Sequence, residues 1–487
     1  MNEAENMRLY QITAAIIAAI TLVRLAVLIV SPLELYPDEA QYWFWAQTPD
    51  LGYFSKPPMI AWIVWLTTNI FGNSEWAIRI AVPLLHAGTA LFIYGIGKRT
   101  ADARVGMWSA LAYVTLPGIS YSCGLVSTDV PLLFFWSMAL YAFIRALDEP
   151  GWLWSIVCGI GFGLGLLSKY AMLYFVLGAV LAAVAIPKVR ALVLSFRWLA
   201  IVLIGLALLS PNIWWNAAHG FPTVAHTEAN ANWGHARYNI VNALAFVGGQ
   251  FGVFGPVLMT AFLVGVCQLA RRRDDRDLLL AAFSVPVLLI ITVQAFISEA
   301  NANWAAVGYV AAVPLAVSTM FNAMRRWPLW ISFTFNGLAM VLLWIILVWP
   351  GFGEMIGQGN AFKRQEGWRQ LGIAVVEEAW NAPYDTVVVA NRSLIAEMMY
   401  YGRTAMLPIR MWDADNHADN HFEMTVPLTQ ASHHMLLVVF PDEGAHVLPT
   451  FDSAKFVHTI TIAVGGHHTR VTQLFDVRGY RGPQAHR

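Results

Sequence analysis

Charged residues are scarce in this 487-residue chain. Asp, Glu, Lys and Arg make up 12%, against about 25% in soluble domains. With 58% hydrophobic residues and a mean hydropathy of +0.55, that scarcity argues against a soluble protein. It also argues against disorder, which needs little apolar content and much charge. Charge of one sign is lacking too: 30 cations balance 30 acids, so no basic excess speaks for nucleic acid. The three cysteines, Cys123, Cys158 and Cys267, all lie in apolar runs, which excludes a disulfide framework or a Cys-rich zinc site. There is no internal repeat and no low-complexity segment. The last third of the chain holds no phosphate loop, dinucleotide fingerprint or Gly-x-Ser-x-Gly.

What the chain has instead is long apolar runs. A helix needs about 20 mostly apolar residues to cross the hydrocarbon core. About eleven such segments, up to thirteen, fall near 11–30, 77–97, 105–120, 129–146, 152–168, 171–187, 198–215, 241–268, 278–297, 303–321 and 328–350. The expected fold class is a polytopic α-helical membrane protein. Sidedness follows from Lys and Arg in the short loops. With the N-terminus inside, the inner loops carry Arg8, Lys98, Arg99, Arg104, Arg145, Lys188, Arg190, Arg197, Arg271, Arg272, Arg273, Arg276, Arg325 and Arg326. The outer segments before residue 350 carry Lys56, Arg79, Lys169 and Arg237. This bias puts the C-terminus outside and directs the search for chemistry to the outer face.

The expected domain division is 1–350 for the membrane part, including a first outer loop at 31–76, and 351–487 for a soluble α/β domain outside the membrane. In the tail, Val387–Ala390 and Leu436–Phe440 have strand length and composition, and Gly367–Trp380 reads as a helix. Most of the thirteen histidines lie there without zinc spacing and read as surface.

The first outer loop contains Tyr36-Pro37-Asp38-Glu39-Ala40-Gln41-Tyr42-Trp43. Pro-Asp-Glu suits a helix start, so the plain reading of the two acids is a first-turn cap. The functional reading is a general base or a metal ligand at the membrane surface. Dense rings accompany the acids, among them Trp43, Trp45, Tyr53, Phe54, Trp62 and Trp65, and suit a segment lying on the bilayer. Lys56, before Pro57-Pro58, is a cation for a phosphate or a lysine snorkelling to headgroups. Arg79 is the next outer cation. Asp129 opens a span from the outer side, where a carboxylate is a functional candidate or a cap. Lys169 stands in a tight outer turn, against the sidedness rule. Asn216 leads into an outer loop with His219, His226, Glu228, His235 and Arg237, whose spacing is no standard metal motif. Glu299, Asn303 and Trp304 precede a later span. With Tyr42 and Tyr53, these amides, acids and rings are candidates for binding a sugar or an acceptor.

Outer carboxylates, outer lysines and aromatic loops together suit a lipid-linked phosphate donor. A departing phosphate needs cations, and a poorly nucleophilic acceptor hydroxyl needs a carboxylate base. The transition state would resemble an oxocarbenium ion, and one displacement would invert the anomeric centre.

The ordered set Tyr36–Trp43, Ser55-Lys56-Pro57-Pro58 and Ser127-Thr128-Asp129 resembles the protein O-mannosyltransferase and lipid A aminoarabinose transferase group of GT-C glycosyltransferases. Ser168-Lys169-Tyr170, Pro211–Asn216 and Asn303-Trp304 resemble its bacterial members. The resemblance implies a GT-C membrane fold with a catalytic first periplasmic loop and a C-terminal extracytoplasmic domain. It implies Asp38 as catalytic carboxylate, with Glu39 supporting it and Asp129 as a second acidic position. It implies Lys56, with Lys169 second, as ligands of the donor phosphate, and Arg79 is added to them as the next outer cation. Aminoarabinose transferases often carry an acid just before Lys-Pro-Pro that takes part in a metal site, and Ser55 stands there in this chain. No metal ligand and no certain cofactor are therefore assigned, with a divalent cation as the alternative.

The preferred function is an inverting glycosyltransferase at the periplasmic face of the bacterial inner membrane. It would move a sugar from a polyprenyl-phosphate donor, such as undecaprenyl phosphate, to a lipid A or lipopolysaccharide-core acceptor. The partners are that donor, a glycolipid acceptor and membrane lipids, with no nucleic acid. A protein hydroxyl as acceptor is the second reading. A transporter or flippase of lipid-linked sugar is the third; it predicts charges within spans, of which Arg24 is one, and discontinuous helices in two related halves.

Overall fold

The computed structural model describes residues 2–232, 238–322, 327–359 and 362–482. His235, Arg237, Arg325 and Arg326 lie outside them. All eleven expected apolar segments fall on helices. Among the described residues, seven helices are long and apolar enough to cross a membrane: Glu3–Val30, Glu75–Thr100, Asp129–Asp148, Phe196–Ala218, Asp275–Ile297, Ala302–Asn322 and Trp327–Val348. An eighth crossing is available from Ile240–Phe254 and Pro256–Leu269, which meet at a bend of 111°. Leu153–Ser168 and Tyr170–Ala185 are apolar but shorter. A helix of 16 residues is about 24 Å long, less than the roughly 30 Å hydrocarbon core, which is why length alone does not count them.

Packing divides the chain into two compact units: Met1–Ile29, Lys56–Ile63 and Arg79–Trp344 form the first, and Val30–Ser55, Val64–Ile78 and Ile345–Arg487 the second. The expected division at residue 350 therefore misplaces most of the first outer loop. It packs with the tail, for a reason given below.

In the first unit the Ala306–Asn322 helix runs through the core, with nearly every residue buried. Small residues allow close crossings: a Cβ on Gly97 would meet the Gly106 Cα at 2.9 Å. The 111° bend has a local cause. Gly255 holds a φ of +85°, and Pro256, lacking an N–H, begins the next helix. A Cβ on Gly255 would also come within 2.4 Å of Asn336 Oδ1. Arg24 is buried, donating to the Val114 carbonyl and lying 3.8 Å from the Met340 sulfur, so it ties three helices together. The charge that a transporter reading would claim thus has a structural job. The single bent pair among the described residues also lacks the second, related one that such a reading requires.

In the second unit, five strands form one sheet in the order β2-β1-β3-β5-β4. They are β1 (Thr386–Val389), β2 (Ile409–Met411), β3 (His434–Val439), β4 (Phe451–Val464) and β5 (His468–Tyr480). The first three are parallel and the last two form an antiparallel hairpin joined to β3. β1 and β3 are buried on both faces and read as continuous Val/Leu runs. The Trp368–Asn381 helix lies where a helix was expected.

Candidate active site

The acid pair is set by a helix start in the second unit. Pro37 begins the Pro37–Gln47 helix after an extended Tyr36, with φ −79° and ψ 146°. Glu39 is fully buried, and its Oε2 accepts the Tyr36 N–H at 2.9 Å, closing a capping box. Glu39, expected among the catalytic residues, is in this geometry a positioning residue for the first turn. Asp38 differs. Its side chain is 42% exposed, and its Oδ1 accepts from Arg392 Nη1 at 3.0 Å. The same Nη1 reaches Gln41 Oε1 at 2.9 Å. Among the described residues, the bond from Arg392 falls on Oδ1 and not on Oδ2.

Packing explains why this pair forms. The helix buries Tyr42, Trp43 and Trp45, and Trp43 meets Tyr400 of the Arg392–Tyr401 helix edge-on at 5.0 Å. Phe44 lies 5.0 Å from Phe422. Of the rings expected to lie on the bilayer, Trp43, Trp45 and Tyr53 are buried in the protein, Phe54 and Trp62 are half-buried, and Trp65 is exposed. Arg392 follows β1 directly, with the Asn391 side chain capping Ser393 and Leu394. A cation in the first turn opposes the helix dipole, so Arg392 is stabilised there by its acid partner. It also sits at the carboxyl end of β1, where the chain leaves for β2 on one side while β3 lies on the other. Parallel sheets place ligand sites at such points.

The approach to this helix is also tied down. Arg364 donates to the Tyr36 hydroxyl at 2.5 Å. Glu34 accepts the Trp368 N–H at 2.5 Å, and burial raises its carboxyl above the usual range. Arg470 lies 3.3 Å from the Trp368 ring centroid, and burial lowers its guanidinium to about 10.

Tyr42 and Tyr53, expected to bind sugar, are interior. Tyr53 stacks on Trp45 at 4.5 Å, donates to the Trp45 carbonyl at 3.2 Å and accepts the Asp50 N–H at 3.0 Å. Burial pushes its phenol up to about 12. A phenol whose folded pKa exceeds its unfolded value stabilises fully below the unfolded pKa of about 10. That contribution is lost as pH rises through about 12. Melting temperature in detergent is expected to fall across this window, and to fall less in Tyr53→Phe; equal falls would assign the alkaline loss to other groups.

The first unit holds a second polar cluster. Asp129 begins the Asp129–Asp148 helix, with its side chain 11% exposed. Its Oδ1 pairs with Lys169 Nζ at 2.6 Å, and its Oδ2 accepts from Asn303 Nδ2 at 2.6 Å. Three sequence candidates far apart in the chain are thus brought together. Asp129 thus engages both of its oxygens and orients Lys169. Tyr170 donates to Asn212 Oδ1 at 2.8 Å, and Asn216 is buried, donating to the Asn212 carbonyl at 3.0 Å. Asn216 therefore holds the turn rather than a sugar. Trp304 packs half-buried on the membrane core, while Glu299 is exposed. Lys56 is half-buried. Arg79 is only 2% exposed.

Ser55 brings no carboxylate to this loop, Glu39 caps its helix, and Asp38 is paired with Arg392. Among the described residues, no three His, Cys, Asp or Glu side chains are grouped to hold a metal.

Helices long and apolar enough to span a membrane, together with a small mixed sheet, fit the architecture of a polytopic GT-C protein. A family model described as dolichyl-phosphate-mannose-protein mannosyltransferase matches residues 55–215. The lipid A galacturonosyltransferase RgtD of Rhizobium johnstonii is 38% identical over 395 residues, covering 80% of this chain and 82% of the relative. The lipopolysaccharide core galacturonosyltransferase RgtA of the same organism is 32% identical over 206 residues, covering 41% of this chain and 40% of its own. The crystal structure of ArnT from Cupriavidus metallidurans bound to undecaprenyl phosphate aligns with a TM-score of 0.66 over 96% of this chain and 99% of that one, at 16% identity. The chain belongs to the GT-C glycosyltransferases of the lipid A-modifying group.

Arg392, Arg364, Arg369 and Arg403 were not singled out by sequence. One signal was available: Val387-Val388-Val389 followed by Asn391 and then Arg392 reads as a strand, a cap and a helix start.

Proposed function

We propose that this enzyme transfers a galacturonic acid residue from a polyprenyl phosphate, undecaprenyl phosphate being the donor lipid, to lipid A. The reaction is assigned to the periplasmic face of the bacterial inner membrane, with the N-terminus cytoplasmic and the C-terminal domain periplasmic. The observation that carries the choice of sugar is Arg392 beside Asp38, 3.0 Å from its Oδ1. A uronate brings a carboxylate that this guanidinium can receive as a forked partner. An amino sugar would bring a cation against it. The identity with a lipid A galacturonosyltransferase across four-fifths of the chain points the same way.

In the proposed step, the acceptor hydroxyl gives its proton to Asp38 Oδ2 while its oxygen bonds to the sugar C1. The C1–O bond to the phosphate breaks, and its electron pair leaves on the polyprenyl phosphate. The anomeric configuration inverts. Lys56 and Lys169 are the cations assigned to the phosphate, with Asp129 and Asn303 fixing Lys169. No step is assigned to a metal.

The test is mass spectrometry of lipid A and membrane proteins from cells with and without the gene. The expected result is a lipid A species heavier by one uronic acid only when the protein is present. A protein acceptor, which the description of the matched family model favours, would instead put the sugar on membrane proteins and overturn this assignment.

A further inference from the structure

A cavity of about 400 Å³ lies within the second unit, lined by none of the residues assigned to the reaction. That volume is at the lower end of small-molecule sites, which suits one sugar rather than an oligosaccharide. Its wall is made by Asn73, Ser74 and Glu75, by Arg369, and by Tyr400, Tyr401 and Arg403. We propose that this cavity is a binding subsite for a phosphorylated monosaccharide, the headgroup of the acceptor glycolipid. The identity of that acceptor rests on the function proposed above.

The two guanidiniums carry the inference. Arg403 lies 4.3 Å from the Tyr400 ring centroid and donates to the Tyr400 carbonyl. Arg369 lies 5.4 Å from the Tyr401 ring centroid and pairs with Glu75. Each is thus seated on an aromatic face, which holds its plane. Both side chains remain exposed. A guanidinium has five N–H donors, and each of these spends few of them within the protein. Two forks against one carboxylate leave the cavity net positive. A phosphate accepts from such forks in pairs.

The remaining wall suits the sugar ring. Asn73 accepts from Trp43 Nε1 at 2.7 Å through its side-chain oxygen, and its carbonyl accepts from the Tyr400 hydroxyl at 2.5 Å. Its amide donors are thereby held in place for a sugar oxygen. Glu75, already fixed by Arg369 and by the Tyr401 hydroxyl at 3.2 Å, can accept from sugar hydroxyls. No Leu, Ile, Val or Phe lines the cavity. A headgroup fits it; a whole bilayer lipid does not.

The test uses the full chain in phosphatidylcholine nanodiscs and glucosamine 1-phosphate as probe, followed by calorimetry. Arg403→Gln removes one fork. Ser74→Asp keeps a good helix cap and adds a negative charge to the wall without deleting a packed group. Each is expected to weaken the probe about tenfold, and glucosamine without phosphate is expected not to bind. Equal affinity in wild type and both variants would overturn the proposal. So would inorganic phosphate binding as tightly as the sugar phosphate, or phosphatidylglycerol in the disc abolishing probe binding. In a transfer assay, both variants should raise KM for lipid A and leave the donor KM unchanged. Intact, variant-sensitive probe binding in a chain that transfers no galacturonate would sink the proposed function and spare the cavity. Normal transfer with an unchanged acceptor KM in both variants would do the reverse.

Discussion

Asp38→Asn is expected to lower sugar transfer by about 10²–10⁴-fold, the range for losing a positioned general base. The amide keeps the shape, and its oxygen can still accept from Arg392, which lies 3.0 Å away in the native chain. Folding should therefore survive, and donor binding, which is assigned to Lys56 and Lys169, should survive too. The loss should fall on kcat, read by transfer of labelled sugar in membranes at saturating donor. Full activity in Asp38→Asn would remove this residue from the chemistry. Glu39→Gln makes the contrast, because its buried oxygen serves the Tyr36 N–H rather than a substrate. An amide oxygen can accept that bond, so its effect should be far smaller.

Arg392→Ala should separate two jobs. If Arg392 receives the uronate carboxylate, its loss raises KM for a galacturonate donor about 10- to 100-fold, the equivalent of a charge-assisted hydrogen bond worth about 1.5–3 kcal/mol. A donor carrying a neutral hexose has no carboxylate to lose, so its kinetics should change little. Arg392→Lys should restore part of the difference, because it keeps the charge and loses the fork. Equal losses with both donors would mean that Arg392 serves only to hold Asp38 and Gln41.

The membrane part was legible because its signal is long and redundant: twenty apolar residues announce a span wherever their neighbours lie. The exact crossings were less so, because Gly255 bends one segment and Pro117 breaks another into shorter helices. β1 and β3 could be read as buried runs, whereas β4 is mostly exposed and alternates only at its end, through Ile460, Ile462 and Val464. The acid pair and Lys169 were found from local motifs. Their partners were not. Arg392 lies 354 residues from Asp38, and Asn303 lies 174 from Asp129. Nothing local marks either pairing. The same distance misled the reading of Trp43, Trp45 and Tyr53. Rings near a span suggest a lipid interface, yet their actual partners are Tyr400 and His421 or one another. Arg79 misled differently, since sidedness counts a cation without seeing that it is buried.

The 354-residue separation of Asp38 from Arg392 also has a consequence in time. The ribosome adds about 5–20 residues per second, so tens of seconds pass between the synthesis of the acid and that of its arginine. Through that interval the rings of the Pro37–Gln47 helix lack the tail surface that buries them. The Pro37–Gln47 helix is therefore among the first parts of the second unit to be made and among the last to be completed, and a nascent chain is expected to stay silent in a transfer assay until its C-terminal third has folded.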